Sequence, residues 1–201
     1  MSKLYKELFS ADQHPGSKLN IIAYPAPVLK KIAEPVTLFD DSLKDLIINM
    51  FHTMYDAPGI GLAAPQIGVS KRVFVLDVNF EREEVHLSDS TTEYKVKNIN
   101  PLVYINPKIT EKSGSISYEE GCLSFPGVYE TVSRYEEIVL EYQDEEGNIK
   151  VTEAKGLEAI CLQHELDHLN GVVFIEKLSI LKQNLIKKKI LKTKKQHRLT
   201  S

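Results

Sequence analysis

The hydrophobic positions change period several times along the chain, and each change marks an element. From Ser42 to about Tyr55, Leu43, Leu46, Ile47, Met50 and Met54 recur at helical spacing, which predicts a helix capped by Ser42 and ended by Pro58 and Gly59. RVFVLDV, from Arg72 to Val78, is the short apolar run of a buried strand, and Leu102 to Ile105 predicts another. The charged stretch NFEREEVHLSDSTTEYKVKN predicts a long exposed loop or a frayed hairpin, with His86 on the surface. IVLEYQD and IKVTEA, joined by EEGN, read as the arms of a hairpin. The segment Gly156 to Gly171 follows directly. As a helix turning about 100° per residue, it places Leu157, Ile160, Cys161, His164 and His168 on one face and Leu162, Leu166 and Leu169 on the other. Both faces are apolar enough to be buried. Ser179 then caps a last helix from Ile180 to about Leu191. These elements predict an α+β fold in a single domain over residues 1–201: antiparallel or mixed sheets packed around the helix at 156–171, plus a C-terminal helix. A polar lead-in (about 1–19) and a basic tail (about 182–201) flank it.

Composition narrows the class. At 201 residues, 42% hydrophobic and 26% charged, the chain suits one globular domain with a sizeable core and is neither disordered nor fibrous. No apolar stretch reaches the length of a membrane span and the N-terminus has no signal-peptide core, so a cytoplasmic protein without a membrane partner is expected. Two cysteines, Cys122 and Cys161, are too few for a disulfide framework and suit a reducing compartment. The net charge of −3 hides an asymmetry: residues 177–201 hold nine Lys or Arg and no acid, leaving 16 basic against 28 acidic side chains elsewhere. A basic arm on an acidic body suits a polyanionic partner, although a solvated tail also accounts for such a run.

The candidate chemistry lies on the helix at 156–171, where His164, Glu165 and His168 read HExxH. Two imidazoles one turn apart can hold one metal ion, and the glutamate beside them stays free for another task. A lone buried histidine is more often a hydrogen-bonded core residue. A chance HExxH in a chain of this length, however, is roughly a one-in-a-few-hundred event. A catalytic metal needs three protein ligands and one open position. The continuation HExxHxxGxxH fails, because Phe174 stands where its third histidine belongs. Glu176 lies only eight residues past His168, and Cys161 would crowd three ligands into two helical turns. Cys122, in a glycine-flanked turn ahead of the hairpin, is better placed than either, and all three remain candidates on spacing alone. GIGLAAPQIG, from Gly59 to Gly68, is small-residue backbone suited to a tight turn or to close approach to a ligand, with Gln66 as its one side-chain amide.

GIGLAAPQIG, EGCLSFPG and QHELDHLNG, in that order, are similar to the three signature segments of the peptide deformylases, and the resemblance covers about Ile21 to Leu178. The short spacing between CLS and the hairpin resembles the shorter bacterial subclass. The resemblance implies a metallohydrolase that removes the formyl group from the N-terminal formylmethionine of newly synthesised proteins, releasing formate, by metal-bound water activated by Glu165. It implies Cys122, His164 and His168 as metal ligands, Glu165 as general base and acid, and Gln66 with the Leu123 N–H as oxyanion donors. It also implies substrate contacts from Ile60, Gly61, Leu157, Ile160 and Cys161, with Glu120 grouped among them as a support. The implied cofactor is one divalent ion, iron(II) in the cell, for which zinc, nickel or cobalt can substitute. The implied partners are N-formylmethionyl nascent peptides and, through the basic C-terminal segment, the ribosome. Two other readings of HExxH stand beside this one: a zinc endopeptidase, and a structural metal completed by Cys161.

Overall fold

The computed structural model describes Tyr5, Glu7, Phe9 and residues 16–86 and 92–200, the backbone alone at 84–86, 92–94 and 194–200. The first full helix, α1 (Asp41–Asp56), starts ahead of Ser42 because Asp40 is its cap. The Asp40 carboxylate accepts the Leu43 N–H at 3.1 Å, and Ser42 Oγ donates to the same carboxylate at 2.6 Å. The largest sheet is antiparallel, ordered β1 (Gly61–Ala63), β2 (Val73–Leu76), β5 (Leu102–Ser113), β8 (Glu137–Gln143) and β9 (Ile149–Lys155). β9 runs straight into α2 (Gly156–Leu169), the HExxH helix.

Side-chain alternation explains why this sheet is covered on both faces. Along β2 and β5, Val73, Val75, Val103 and Ile105 pack with Leu43, Ile47, Met50, Phe51 and Met54 of α1. Phe74, Leu76 and Tyr104 pack with Ala159, Leu162, Leu166 and Leu169 of α2. β2 therefore reads as an unbroken apolar run, buried at all four positions. Each such side chain contributes roughly 1.5–3 kcal/mol by leaving water. The other face of α2 meets a third cluster, in which Phe125 and Phe174 cross edge-on at 5.3 Å and Phe174 lies 5.9 Å from the His164 ring. Gly171 ends the connection after α2 at φ +69°. A Cβ there would stand 2.7 Å from the Lys30 carbonyl oxygen.

The α+β class, the antiparallel sheets around the HExxH helix and the C-terminal helix all match the expectation. The charged stretch takes one of its two expected forms, a hairpin of β3 (Glu81–His86) and β4 (Thr92–Lys97), and the His86 side chain lies outside the described residues. Other details differ. A second two-stranded sheet, β6 (Ile116–Gly121) and β7 (Tyr129–Arg134), is unforeseen by the apolar pattern. The last helix, α3 (Ile180–Thr200), runs past Leu191. At the N-terminus, where the sequence predicts only a polar lead-in, Tyr5 and Phe9 are buried in the core. Among the described residues no helix is long and apolar enough to cross a membrane.

Candidate metal centre and active site

Three elements converge on one cavity of about 620 Å³: the segment leading into β1, the turn after β6, and α2. α2 supplies His164 and His168, whose rings stand 5.1 Å apart. The turn after β6 supplies Cys122, with Sγ 3.3 Å from His168 Nε2. The ligand atoms of Cys122, His164 and His168 lie within 4.8 Å of one another. Neither rival third ligand joins this group. Cys161 packs against residues of the sheet at the edge of the cavity, its thiol kept protonated by burial and by the charges of Glu165 and Glu120. Glu176 is engaged by Lys30 Nζ at 2.5 Å and by the Val173 N–H at 3.3 Å.

The ring nitrogens are already sorted. His164 Nδ1 faces Glu120 Oε2 at 2.8 Å, which leaves Nε2 for the cavity. Burial would push the Glu120 carboxyl up, but hydrogen bonds from Arg134 and His164 hold it at about 2. Arg134 grips both oxygens of Glu120 at 2.7 and 2.9 Å and Asp167 at 2.5 Å, and Lys177 closes the chain on Asp167 at 3.1 Å. Glu120, grouped above with the substrate residues, has its carboxylate wholly engaged by Arg134 and His164, so it stands behind a candidate ligand. Burial, the neighbouring His164 and Arg134 hold His168 well below its ordinary pKa, neutral as a ligand must be. Burial alone would lower His164 too, but its contacts with Cys122 and Glu120 reverse that and raise it.

Glu165 sits beside the three donors with Oε2 buried and without a partner among the described residues. Burial pushes its pKa up to about 7, opposed by His164 and assisted by Glu120. A carboxyl poised there can both take and return a proton near neutrality. Its neighbour is backbone: a Cβ on Gly61 would come within 2.5 Å of Glu165 Oε1. Gly61→Ala is therefore expected to displace the carboxylate and cost about 100-fold in turnover, checked by steady-state kinetics on a variant of unchanged melting temperature.

Gln66, 2% exposed, has its orientation set by the Ala63 N–H, which donates to Oε1 at 2.9 Å. Its Nε2 then points at Cys122 Sγ (3.5 Å) and Ser124 Oγ (3.3 Å). Leu123 follows Cys122, and among the described residues no acceptor takes its N–H. Ile60 and Leu157 stand half-exposed at the cavity rim, 37% and 36%, while Ile160 and Cys161 are buried deeper along the same wall. Arg134 and Ser124 carry no metal or nucleophile signal in the sequence and are not among the residues singled out there.

An α+β fold that gathers a cysteine sulfur, two imidazoles, a buried carboxylate and an oriented amide around one cavity has the working parts of a hydrolase whose site could hold a metal. The polypeptide deformylase family model matches residues 18–184. A peptide deformylase of Chromobacterium violaceum is 48% identical over 179 residues, 89% of this chain and 98% of that protein. The crystal structure of a peptide deformylase from Legionella pneumophila is 42% identical, with a TM-score of 0.76, covering 90% of this chain and 98% of that one. One from Synechococcus elongatus in complex with actinonin is 40% identical, with a TM-score of 0.73 and 89% of each chain covered. The chain belongs to the peptide deformylase family, enzymes that remove the N-formyl group from nascent peptides.

Proposed function

We propose that deformylation of N-formylmethionyl peptides is carried out in the cytoplasm at this cavity, by Glu165 beside one divalent cation held by Cys122, His164 and His168. The observation that carries the reading is the convergence of three donor atoms within 4.8 Å beside a buried carboxylate with a free oxygen. A thiolate with two imidazoles fits iron(II), zinc, nickel or cobalt, and the reading takes iron(II) as the ion in the cell. Bound there, the ion supplies Lewis acidity and lowers the pKa of water. Glu165 takes the proton of the attacking water as its oxygen adds to the formyl carbon. The Gln66 amide and the Leu123 N–H face the negative charge that develops on the formyl oxygen. Glu165 then returns its proton to the departing amine, and formate and a free methionine amino terminus are released. Ile60, Leu157, Ile160 and Cys161 hold the methionine side chain, and Gly61 lies along the peptide. Mass spectrometry of formyl-Met peptides tests this: loss of the formyl group alone is expected, whereas internal cleavage with the formyl group retained would make the protein an endopeptidase.

The tail supports a second reading, contact with ribosomal RNA. On α3, Ile186 packs on the third core cluster, while Lys188, Lys189 and Lys192 point to solvent among exposed Leu181, Leu185 and Leu191. Changing the three lysines to Glu leaves Ile186 in place. Ribosome binding is expected to weaken, with a salt slope shallower by about one for each lysine–phosphate pair removed. Sedimentation at several salt concentrations measures it, and unchanged binding returns the tail to a solvated charged face.

A further inference from the structure

Tyr5 and Phe9 precede the part of the chain matched by the family model, which begins at residue 18, yet they are 0% and 2% exposed. They are four residues apart with Glu7 exposed between them, and so share one helical face. That face covers α1. The Tyr5 ring lies 5.4 Å from Phe51, and the Phe9 ring packs edge-on against Phe51 and Tyr55 at 5.9 and 5.7 Å. Farther along, the chain is tied to the same helix: the Ser17 N–H donates to Asn49 Oδ1 at 2.6 Å and the Leu19 N–H to Thr53 Oγ1 at 2.9 Å. The contacts grip α1 from Asn49 to Tyr55, its last two turns.

Those turns feed the active site. The Gly59 N–H donates to the Met54 carbonyl at 3.0 Å, and the Ile60 carbonyl accepts the Asp77 N–H at 2.9 Å. The Asp77 side chain, fully buried, accepts the Tyr55 hydroxyl and the Asn100 N–H, both at 2.7 Å. Gly61 comes next, against Glu165. Tyr55 thus joins the ring contact with Phe9 to the residue that fixes the Ile60 carbonyl. We infer that Tyr5 and Phe9 are positioning residues for the reaction: acting through Phe51, which stacks on Tyr55, and through Asp77, they set the Gly59–Gly61 wall against the substrate. The inference rests on the proposed role of that wall as a substrate contact. Tyr5 acts through its ring alone, since its hydroxyl is buried without a partner among the described residues.

The test is made in the full-length chain with the double substitution Tyr5→Ala and Phe9→Ala. KM for a formyl-Met peptide is expected to rise about tenfold, with kcat held within about threefold and metal content unchanged. Hydrogen exchange should accelerate at the Gly59 and Asp77 amides while those of α2 keep their protection. Tyr5→Phe should match the parent. If the double variant does not fold, Phe9→Leu makes the same comparison, with KM raised about threefold. A folded variant with the parental KM, or with unchanged exchange at Gly59 and Asp77, overturns the inference and leaves the two rings a purely stabilising role. A parent chain that releases no formate fails differently, since it removes the functional reading itself.

Discussion

Glu165→Gln is expected to lower formate release by about 10⁴-fold while metal content and melting temperature stay close to those of the parent. Glutamine keeps the shape of the side chain beside Gly61 but cannot accept a proton. Because the same carboxylate is proposed to take the proton of water and hand it to the amine, both transfers fail together. The loss should therefore exceed that from removing one oxyanion donor, typically about 100- to 1000-fold. Formate measured against time in matched samples checks it. A variant within tenfold of its parent would assign the proton to another group.

The second large effect is expected at Cys122. Cys122→Ala removes the donor that lies 3.3 Å from His168 Nε2 and the acceptor 3.5 Å from Gln66 Nε2, so the ion and the amide both lose a partner. Metal affinity should fall by more than about 100-fold, since loss even of a residue that only orients a ligand costs about 10- to 100-fold. Activity should vanish with the metal. Cys161 offers no substitute, because its thiol does not join the converging donor atoms and burial holds it protonated. Titration of the metal-free variant with cobalt(II), followed by its absorption, reports this independently of turnover. Undiminished affinity would mean that Cys122 is not a ligand of the ion.

Much of this was legible in the sequence wherever apolar period and chemistry coincided. The HExxH helix could be placed because Leu162, Leu166 and Leu169 make its second face apolar, and VFVL announced a strand covered on both sides. β6 and β7 escaped because their buried positions include Glu120 and Arg134, an ion pair where an apolar alternation would be sought. β5 looked shorter than it is: Asn106, at φ +52°, and Pro107 interrupt its pattern, and a register shift there lets pairing with β8 continue through the polar residues beyond. Asp40, not Ser42, caps the helix: Asp40, Asp41 and Ser42 are all competent caps, and only backbone geometry chooses among them. Tyr5 and Phe9 were hidden among charged neighbours, since two apolar positions make too short a pattern to reveal a face. In the site, the candidate ligand and base positions stand in recognisable motifs. The Glu120–Arg134–Asp167 chain behind His164 does not, because an ion pair joining separate elements leaves no local periodicity.

One metal ion held by Cys122, His164 and His168 is proposed to make this chain a working deformylase. The most direct test is a single anaerobic sample of the full-length protein, in which metal content and formate release from a formyl-Met peptide are measured together. Close to one divalent ion per chain is expected, with formate release that is lost on chelation and restored by iron(II). A sample carrying one iron(II) per chain that leaves the formyl group in place would contradict that role.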